Sequence, residues 1–262
     1  MKPFALIHPL PILPIHTSDE KSFSSEETSD TLFAVDVKPL RVEHVERATE
    51  STFAAFHNDP LQVYVRAGDT RDFRGPYKTS LSLQFISAIR SHNKFVLTVD
   101  EGEGNVIATR PKADGGAPTL VDRIIQGILR FYGDILGKVF LSKEQKKRSD
   151  EIKSKLGGLI ERNFDASRDD MFYIDLLATS PKSQGKGYGS ALVAAVTSMA
   201  DVQNRTTFLI SSNIQNTAFY NSCGFVTVDS AILGNDNPSW KAPPIKVPLM
   251  VRKPNNDIDI KL

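Results

Sequence analysis

The segment with the most chemical content is Gln184-Gly185-Lys186-Gly187-Tyr188-Gly189-Ser190. Gly185, Gly187 and Gly189 carry no Cβ, so a turn built from them can press its backbone N–H groups against a ligand. The following run, YGSALVAAVTSMADVQ, sets Leu192, Val193, Val196 and Met199 at helical spacing. The first amides of a helix lack acceptors within it, and the helix dipole adds positive character at that end. Turn and helix together predict a cradle for a pyrophosphate. A Walker-type phosphate loop requires Ser or Thr after its lysine, which Lys186 lacks, and the dinucleotide fingerprint G-x-G-x-x-G meets Ser190 at its last glycine. A plain tight turn is the alternative.

The next residue of interest is Asp175, a carboxylate inside the apolar run FYIDLLA. Burying it without a partner is costly, so it implies a salt bridge or a functional cleft, with plain exposure as the alternative. Alternation along a strand places Tyr173, Asp175, Leu177 and Thr179 on one face. Cys223 is the only cysteine, which excludes an intrachain disulfide and a cysteine-based zinc site. A small packed cysteine is its ordinary reading, and a nucleophile the alternative. His8, His16, His44, His57 and His92 show no metal-ligand spacing.

These residues sit in a chain of 262 residues that is 40% apolar and 24% charged, enough to build a sizeable core. A formal charge of +1 gives no global field for a nucleic acid. The opening MKPFALIHPLPILPIH is interrupted by Pro9, Pro11 and Pro14, so a continuous signal-type helix is not expected. Nothing later approaches the apolar length of a membrane span. The expectation is a cytoplasmic protein without membrane or nucleic-acid partners.

The elements that must position the glycine turn follow from pattern. Residues 1–30 read as a proline-rich start and polar tether, and 254–262 as a polar tail. Between them VKPLRVEHV suggests a strand, and ERATESTFAAFHND a helix stopped by Pro60. LQVYVRAG follows, then a helix through SLSLQFISAIRSHN. KFVLTVDEGEGNVIATRPK reads as a hairpin. Residues 120–137 have a helical period, with Ile124, Ile125, Ile128, Leu129, Tyr132 and Leu136 available to pack. SKEQKKRSDEIKSKLGGLIERN predicts a helix with a solvated basic face and a break at Gly157-Gly158. MFYIDLLATS, TTFLISS, FVTVDS and KVPLMVRK predict strands, with NIQNTAFYNSCG a short helix. Pro248 argues for an edge or bulge in the last strand.

LLATSPKSQGKGYGSALV resembles the acyl-coenzyme-A-binding signature of the GNAT family, the GCN5-related N-acetyltransferases, a strand followed by [RQ]-x-x-G-x-[GA]. Gln184, Gly187 and Gly189 fill its positions. NIQNTAFYNSCGF resembles the family's second signature through Asn213, Asn216, Phe219, Tyr220, Gly224 and Phe225. The resemblance covers residues 171–253. It implies an α/β fold: a mixed, mostly antiparallel sheet flanked by helices, with a helical insertion at about 110–170 before the cofactor-binding strand. A single domain would then span 31–253.

The same resemblance implies roles. Leu177, Ala178 and Thr179 would pair through their backbone with the pantetheine arm of acetyl-CoA or another short acyl-CoA. Gln184, Gly185, Lys186, Gly187, Tyr188, Gly189 and Ser190 would hold the pyrophosphate, while Asn213 and Asn216 would approach the cofactor and fix the second helix. Tyr220 would protonate the departing thiolate. The family's usual glutamate base falls at Tyr173, which leaves Asp175 as the candidate base. The implied activity is direct transfer of a small acyl group from acyl-CoA to a primary amine. The acceptor pocket would draw on Tyr64, Arg66, Phe73, Tyr77, Phe131 and Tyr132, with Trp240 either capping it or anchoring a loop. A small-molecule amine is favoured over a protein or peptide amine. A noncatalytic acyl-CoA-binding protein of this fold is the alternative of a different class, and a homodimer is left open.

Overall fold

The computed structural model describes residues 35–68, 74–115, 118–139 and 141–255. The expected tether, Phe73 and most of the polar tail lie outside them. In chain order the elements are β1 (Val37–Pro39), α1 (Val45–Ala55), α2 (Pro60–Arg66), α3 (Arg74–Arg90), β2 (Lys94–Val99), β3 (Gly104–Thr109), α4 (Lys112–Gly115), α5 (Leu120–Val139), α6 (Lys143–Phe164), β4 (Phe172–Thr179), α7 (Tyr188–Val202), β5 (Thr207–Ile210), α8 (Thr217–Ser222), β6 (Val226–Leu233) and β7 (Ile245–Arg252). The strands form a 7-stranded sheet in the order β1-β2-β3-β4-β5-β7-β6. Only β4 and β5 run parallel; every other pair is antiparallel. The mixed, mostly antiparallel α/β architecture is therefore the one expected, and α4 to α6 occupy the stretch before β4.

The sheet carries a core on each face. One gathers Leu61, Tyr64, Phe85, Leu159, Leu176, Ala178 and Phe208 under α1, α2, α3 and α6. The other gathers Phe172, Ile174, Leu177, Leu192, Val196 and Tyr220 under α7 and α8. Each core forms because β4 is apolar on both sides, with Phe172, Ile174, Leu176, Leu177 and Ala178 all buried. α1 ends at Ala55, ahead of Pro60, which instead begins the next helix: Asp59 caps α2 with its side chain, and Pro60 occupies the first helical position, where no N–H is needed.

Four expectations are corrected. Helix α6 runs unbroken through Gly157 and Gly158, because a capping box between Ser142 and Gln145 starts it and buried Ile152, Leu156 and Leu159 hold it. Its basic face is not wholly solvated: Arg148 is buried, donating to the carbonyls of Tyr64 and Ala67 and to Glu144. In α5, Ile124 and Ile128 are exposed rather than packed, together with Leu120, Phe131 and Ile135. Finally, Pro248 lies in β7, which is flanked by both β5 and β6. The Pro248 carbonyl accepts from Ser211 N at 2.9 Å. In an antiparallel strand a residue's N and C=O point the same way, so the missing donor faces the chain leaving β5, where the ladder has already ended.

Two glycines test this packing in opposite directions. A Cβ on Gly102 would meet Ala48 N at 2.7 Å from a backbone at φ +113°, whereas Gly157 has open space around its Cβ position. Gly102→Ala should lower unfolding free energy by about 1–3 kcal/mol, and Gly157→Ala should raise it by about 0.5–1 kcal/mol. Urea denaturation of both variants measures this; equal effects would contradict the continuous α6 helix.

Candidate active site

The site begins where β4 and β5 part. They pair over Phe172↔Thr207, Tyr173↔Phe208 and Ile174↔Leu209, and no further. β4 continues to Thr179 against β3 alone, while Ile210 pairs with Leu249 of β7. Beyond Ile174 the edge of β4 that faces β5 has no ladder partner among the described residues. Buried backbone N–H and C=O groups require partners, so such an edge can take an extended chain as a strand would. Leu177, Ala178 and Thr179 lie on it. Leu177 and Ala178 are buried in the two cores and Thr179 is buried as well, which leaves the backbone as their binding surface.

The expected alternation along β4 breaks at Asp175. The register against β3 shifts there, with Ile107 opposite Leu176 and Ala108 opposite Ile174. A bulge of this kind inserts one unpaired residue, so Tyr173 and Leu177 join different cores. The Asp175 carboxylate is engaged on both oxygens, forming an ion pair with Lys94 and accepting from Thr109 Oγ1 at 2.5 Å. Of the roles open to Asp175, the ion pair is the one this geometry contains.

At the end of β4 the chain enters the glycine turn. Gly185 and Gly187 both take φ +78°, the left-handed region that glycine adopts without strain. Gly187 is the N-cap of α7, and no side chain caps that helix. The leading amides of α7 therefore face outward with the helix dipole behind them, the condition under which an anion binds. Lys186 adds a cation, its Nζ 3.5 Å from Ser183 Oγ and above the Tyr188 ring. Gln184 donates to Thr179 O at 3.4 Å, tying the turn to the strand. Gly189 serves a different purpose: a Cβ there would approach the Phe219 ring at 3.3 Å, so its absence lets α7 meet α8. Ser190 is exposed on the first turn of α7. These residues fit a pyrophosphate.

Glu103 supports this turn from below. It is 3% exposed and receives Arg47 Nε at 3.2 Å, Lys182 Nζ at 3.0 Å and Ser183 Oγ at 3.1 Å. Burial alone would raise its pKa, but these donors outweigh it and hold the carboxyl below its usual range.

α8 supplies the opposite wall. Asn213 accepts from Gln215 N at 3.0 Å, and its carbonyl accepts from Asn216 N, so both asparagines set the entry to α8 from buried positions. Tyr220 is 5% exposed, with its ring against Phe219 and Phe225. Burial, with smaller contributions from Cys223 and Tyr173, pushes its pKa well up, so the hydroxyl keeps its proton. Cys223 is half-buried and its thiol is also pushed up by burial, an environment that disfavours a thiolate nucleophile.

Sequence reasoning missed one constellation. Asp59 and Ser212 are both fully buried, and Ser212 Oγ donates to Asp59 Oδ2 at 2.7 Å. Oδ1 accepts from Leu61 N and Gln62 N as the cap of α2. Burial raises the Asp59 pKa to about 6, against the lowering effects of Ser212, the two amides and Arg66. The Asp-Pro pair could have signalled a helix cap; nothing in the sequence brings it to Ser212. Of the expected acceptor-wall residues, Phe73 lies outside the described residues, and the others differ in their surroundings. Tyr77 feels the Asp59 charge. Tyr64 is fully buried, donating to Glu151 Oε2 at 2.5 Å and packing edge-on against Trp240. Phe131 is exposed. Trp240 acts as a loop anchor, with Cδ1 only 2.6 Å from where a Gly234 Cβ would stand.

A family model described as an acetyltransferase (GNAT) domain matches residues 140–236. An uncharacterized N-acetyltransferase of Schizosaccharomyces pombe is 34% identical over 93 residues, 34% of this chain and 35% of that protein. The match thus spans about a third of that relative's length. Arylalkylamine N-acetyltransferase 2 of Aedes aegypti shares the fold with a TM-score of 0.54 at 14% identity, over 84% of this chain and 99% of that one. The Drosophila melanogaster polyamine N-acetyltransferase aligns with a TM-score of 0.50 at 12% identity, over 84% and 99%. Residues 140–236 thus match the acetyltransferase (GNAT) domain in sequence, and the described sheet shares the fold of these solved structures.

Proposed function

We propose that this chain is an N-acetyltransferase that passes an acetyl or similar small acyl group directly from acyl-CoA to the primary amine of a small molecule. The observation that carries the reading is the junction of two features. The β4 edge left unpaired beyond Ile174 leads straight into an uncapped helix N-terminus with left-handed Gly185 and Gly187. An acyl-CoA has both complements: an amide-bearing pantetheine arm for the edge and a pyrophosphate for the helix.

The backbone of Leu177–Thr179 binds the arm, and the amides of Tyr188, Gly189 and Ser190, with Lys186, bind the pyrophosphate. The amine nitrogen attacks the thioester carbonyl, the C–S bond breaks, and the thiolate takes a proton from Tyr220. The hydroxyl carries its proton at neutral pH, and burial, which raises its pKa, makes it a weaker acid that approach of the thiolate has to offset. Asn213 and Asn216 hold α8 so that Tyr220 stays at this wall. The acceptor enters from the side of α1 to α3, where the rings of Phe53 and Tyr77 lie 5.6 Å apart. Among the described residues no helix is long and apolar enough to cross a membrane.

The test is release of free thiol from acetyl-CoA with a panel of arylalkylamines, polyamines and a lysine peptide. Thiol release that requires a small amine supports the proposal; binding of acetyl-CoA without release in any well contradicts it. Gly187→Val should raise the KM for acetyl-CoA at least tenfold, because a branched residue resists the left-handed conformation. Tyr220→Phe should lower kcat by about 100-fold with little change in acetyl-CoA affinity. Asp175→Asn should reduce thermal stability through the orphaned Lys94 while the shape of the pH–rate curve persists.

A further inference from the structure

We propose that the outward face of α5 is the surface on which two copies of this chain pair. This goes beyond the acetyl-transfer reading and does not depend on it.

Helix α5 has two faces. The inner one lies against α3: Ile125, Leu129 and Tyr132 are half-buried, and Gln126 Nε2 donates to Ser87 Oγ at 3.4 Å. Asp122 is buried as well, accepting from Thr119 Oγ1 at 2.7 Å, with His92 Nδ1 3.0 Å away. The outer face carries Leu120, Val121, Ile124, Ile128, Phe131 and Ile135, from 40% exposed at Ile135 to 73% at Leu120. At the pitch of an α-helix these six fall within an arc of about 100°. No charged residue between Leu120 and Ile135 shares that arc.

The spacing says what fits. From Val121 the exposed side chains advance by three, four, three and four residues, to Ile124, Ile128, Phe131 and Ile135. That is the seam by which one helix seats its side chains between those of another. A lipid surface accepts any apolar arc and imposes no such repeat. Gly127 adjoins the seam, three residues after Ile124 and four before Phe131. It is exposed, and a Cβ there would meet nothing within 4 Å. Glycine weakens a helix interior relative to alanine, and no neighbour among the described residues requires it here. A second helix passing close to the backbone would.

The area agrees with a second copy. These six side chains present about 600 Å² of apolar surface, the most that a monomer ordinarily leaves in one patch. Pairing across a twofold axis sets the stripe against itself. It hides roughly 1,200 Å² in all, the lower bound of a specific interface. A seam of matching length and spacing is what the second copy of α5 brings.

Sedimentation equilibrium of the full chain between about 1 and 200 µM tests this, with circular dichroism to follow folding. The wild type should pass from monomer to dimer with a micromolar Kd, as an interface of minimal size allows. Ile128→Glu puts a charge in the seam and should weaken association about 100-fold or more. Gly127→Gln enters open space in the single chain, so it should keep the fold while weakening association about tenfold. A wild type that stays monomeric across the whole range overturns the proposal. So does a dimer that persists undiminished in folded Ile128→Glu or Gly127→Gln. A monomeric wild type that sediments with vesicles containing phosphatidylserine assigns the face to a lipid surface and overturns it too. Thiol release from acetyl-CoA decides the acetyl-transfer reading separately.

Discussion

The structure turns on the requirement that every buried backbone donor and acceptor find a partner, and on one place where the sheet withholds it. Among the described strands β4 and β5 are the only parallel neighbours, and their ladder stops at Ile174 and Leu209. β5 leaves to pair with β7, whose Pro248 presents no N–H towards the departing chain. β4 stays with β3. The result is a length of β4 edge, from beyond Ile174 to Thr179, that has no ladder partner among the described residues.

Around the wedge the charges are sorted. Glu103 gathers Arg47, Lys182 and Ser183 beneath the loop that precedes the glycine turn. That leaves Lys186 and the α7 amides as the positive surface. Asp175 neutralises Lys94 within the sheet. Asp201 holds Arg252 through two hydrogen bonds of 2.6 and 2.8 Å at the far end of α7. Asp59 differs in outcome: burial is the largest influence on Glu103 and Asp201 too, but only at Asp59 does it outweigh the hydrogen bonds and the nearby cation and raise the pKa, to about 6.

The sequence made the second half of the fold legible because its signals are local. Glycines at 185, 187 and 189 between a strand and a helix fix a turn, and an asparagine-led short helix ending at Gly224 fixes α8. The helical insertion was legible as helices but not as packing. Ile124 and Ile128 share a helical period with residues that face α3, and period alone cannot say how wide a stripe the neighbours cover. The Gly157-Gly158 break failed because helix propensity is a small term beside the burial of Leu156 and Leu159. Asp175 misled because a bulge, invisible to a period of two, moved Tyr173 and Leu177 to opposite faces. Asp59 and Ser212 were out of reach altogether. They lie 153 positions apart in the chain and meet only when the end of β5 arrives at the α1–α2 junction.

The central claim is that acyl-CoA lies along the unpaired edge of β4 with its pyrophosphate on the start of α7. Amide hydrogen exchange, with and without saturating acetyl-CoA, tests it most directly. The account predicts added protection at Leu177 to Thr179 and at Tyr188 to Ser190, with β6 unaffected. Tight binding that leaves those amides unchanged, or protects a different surface, would contradict it.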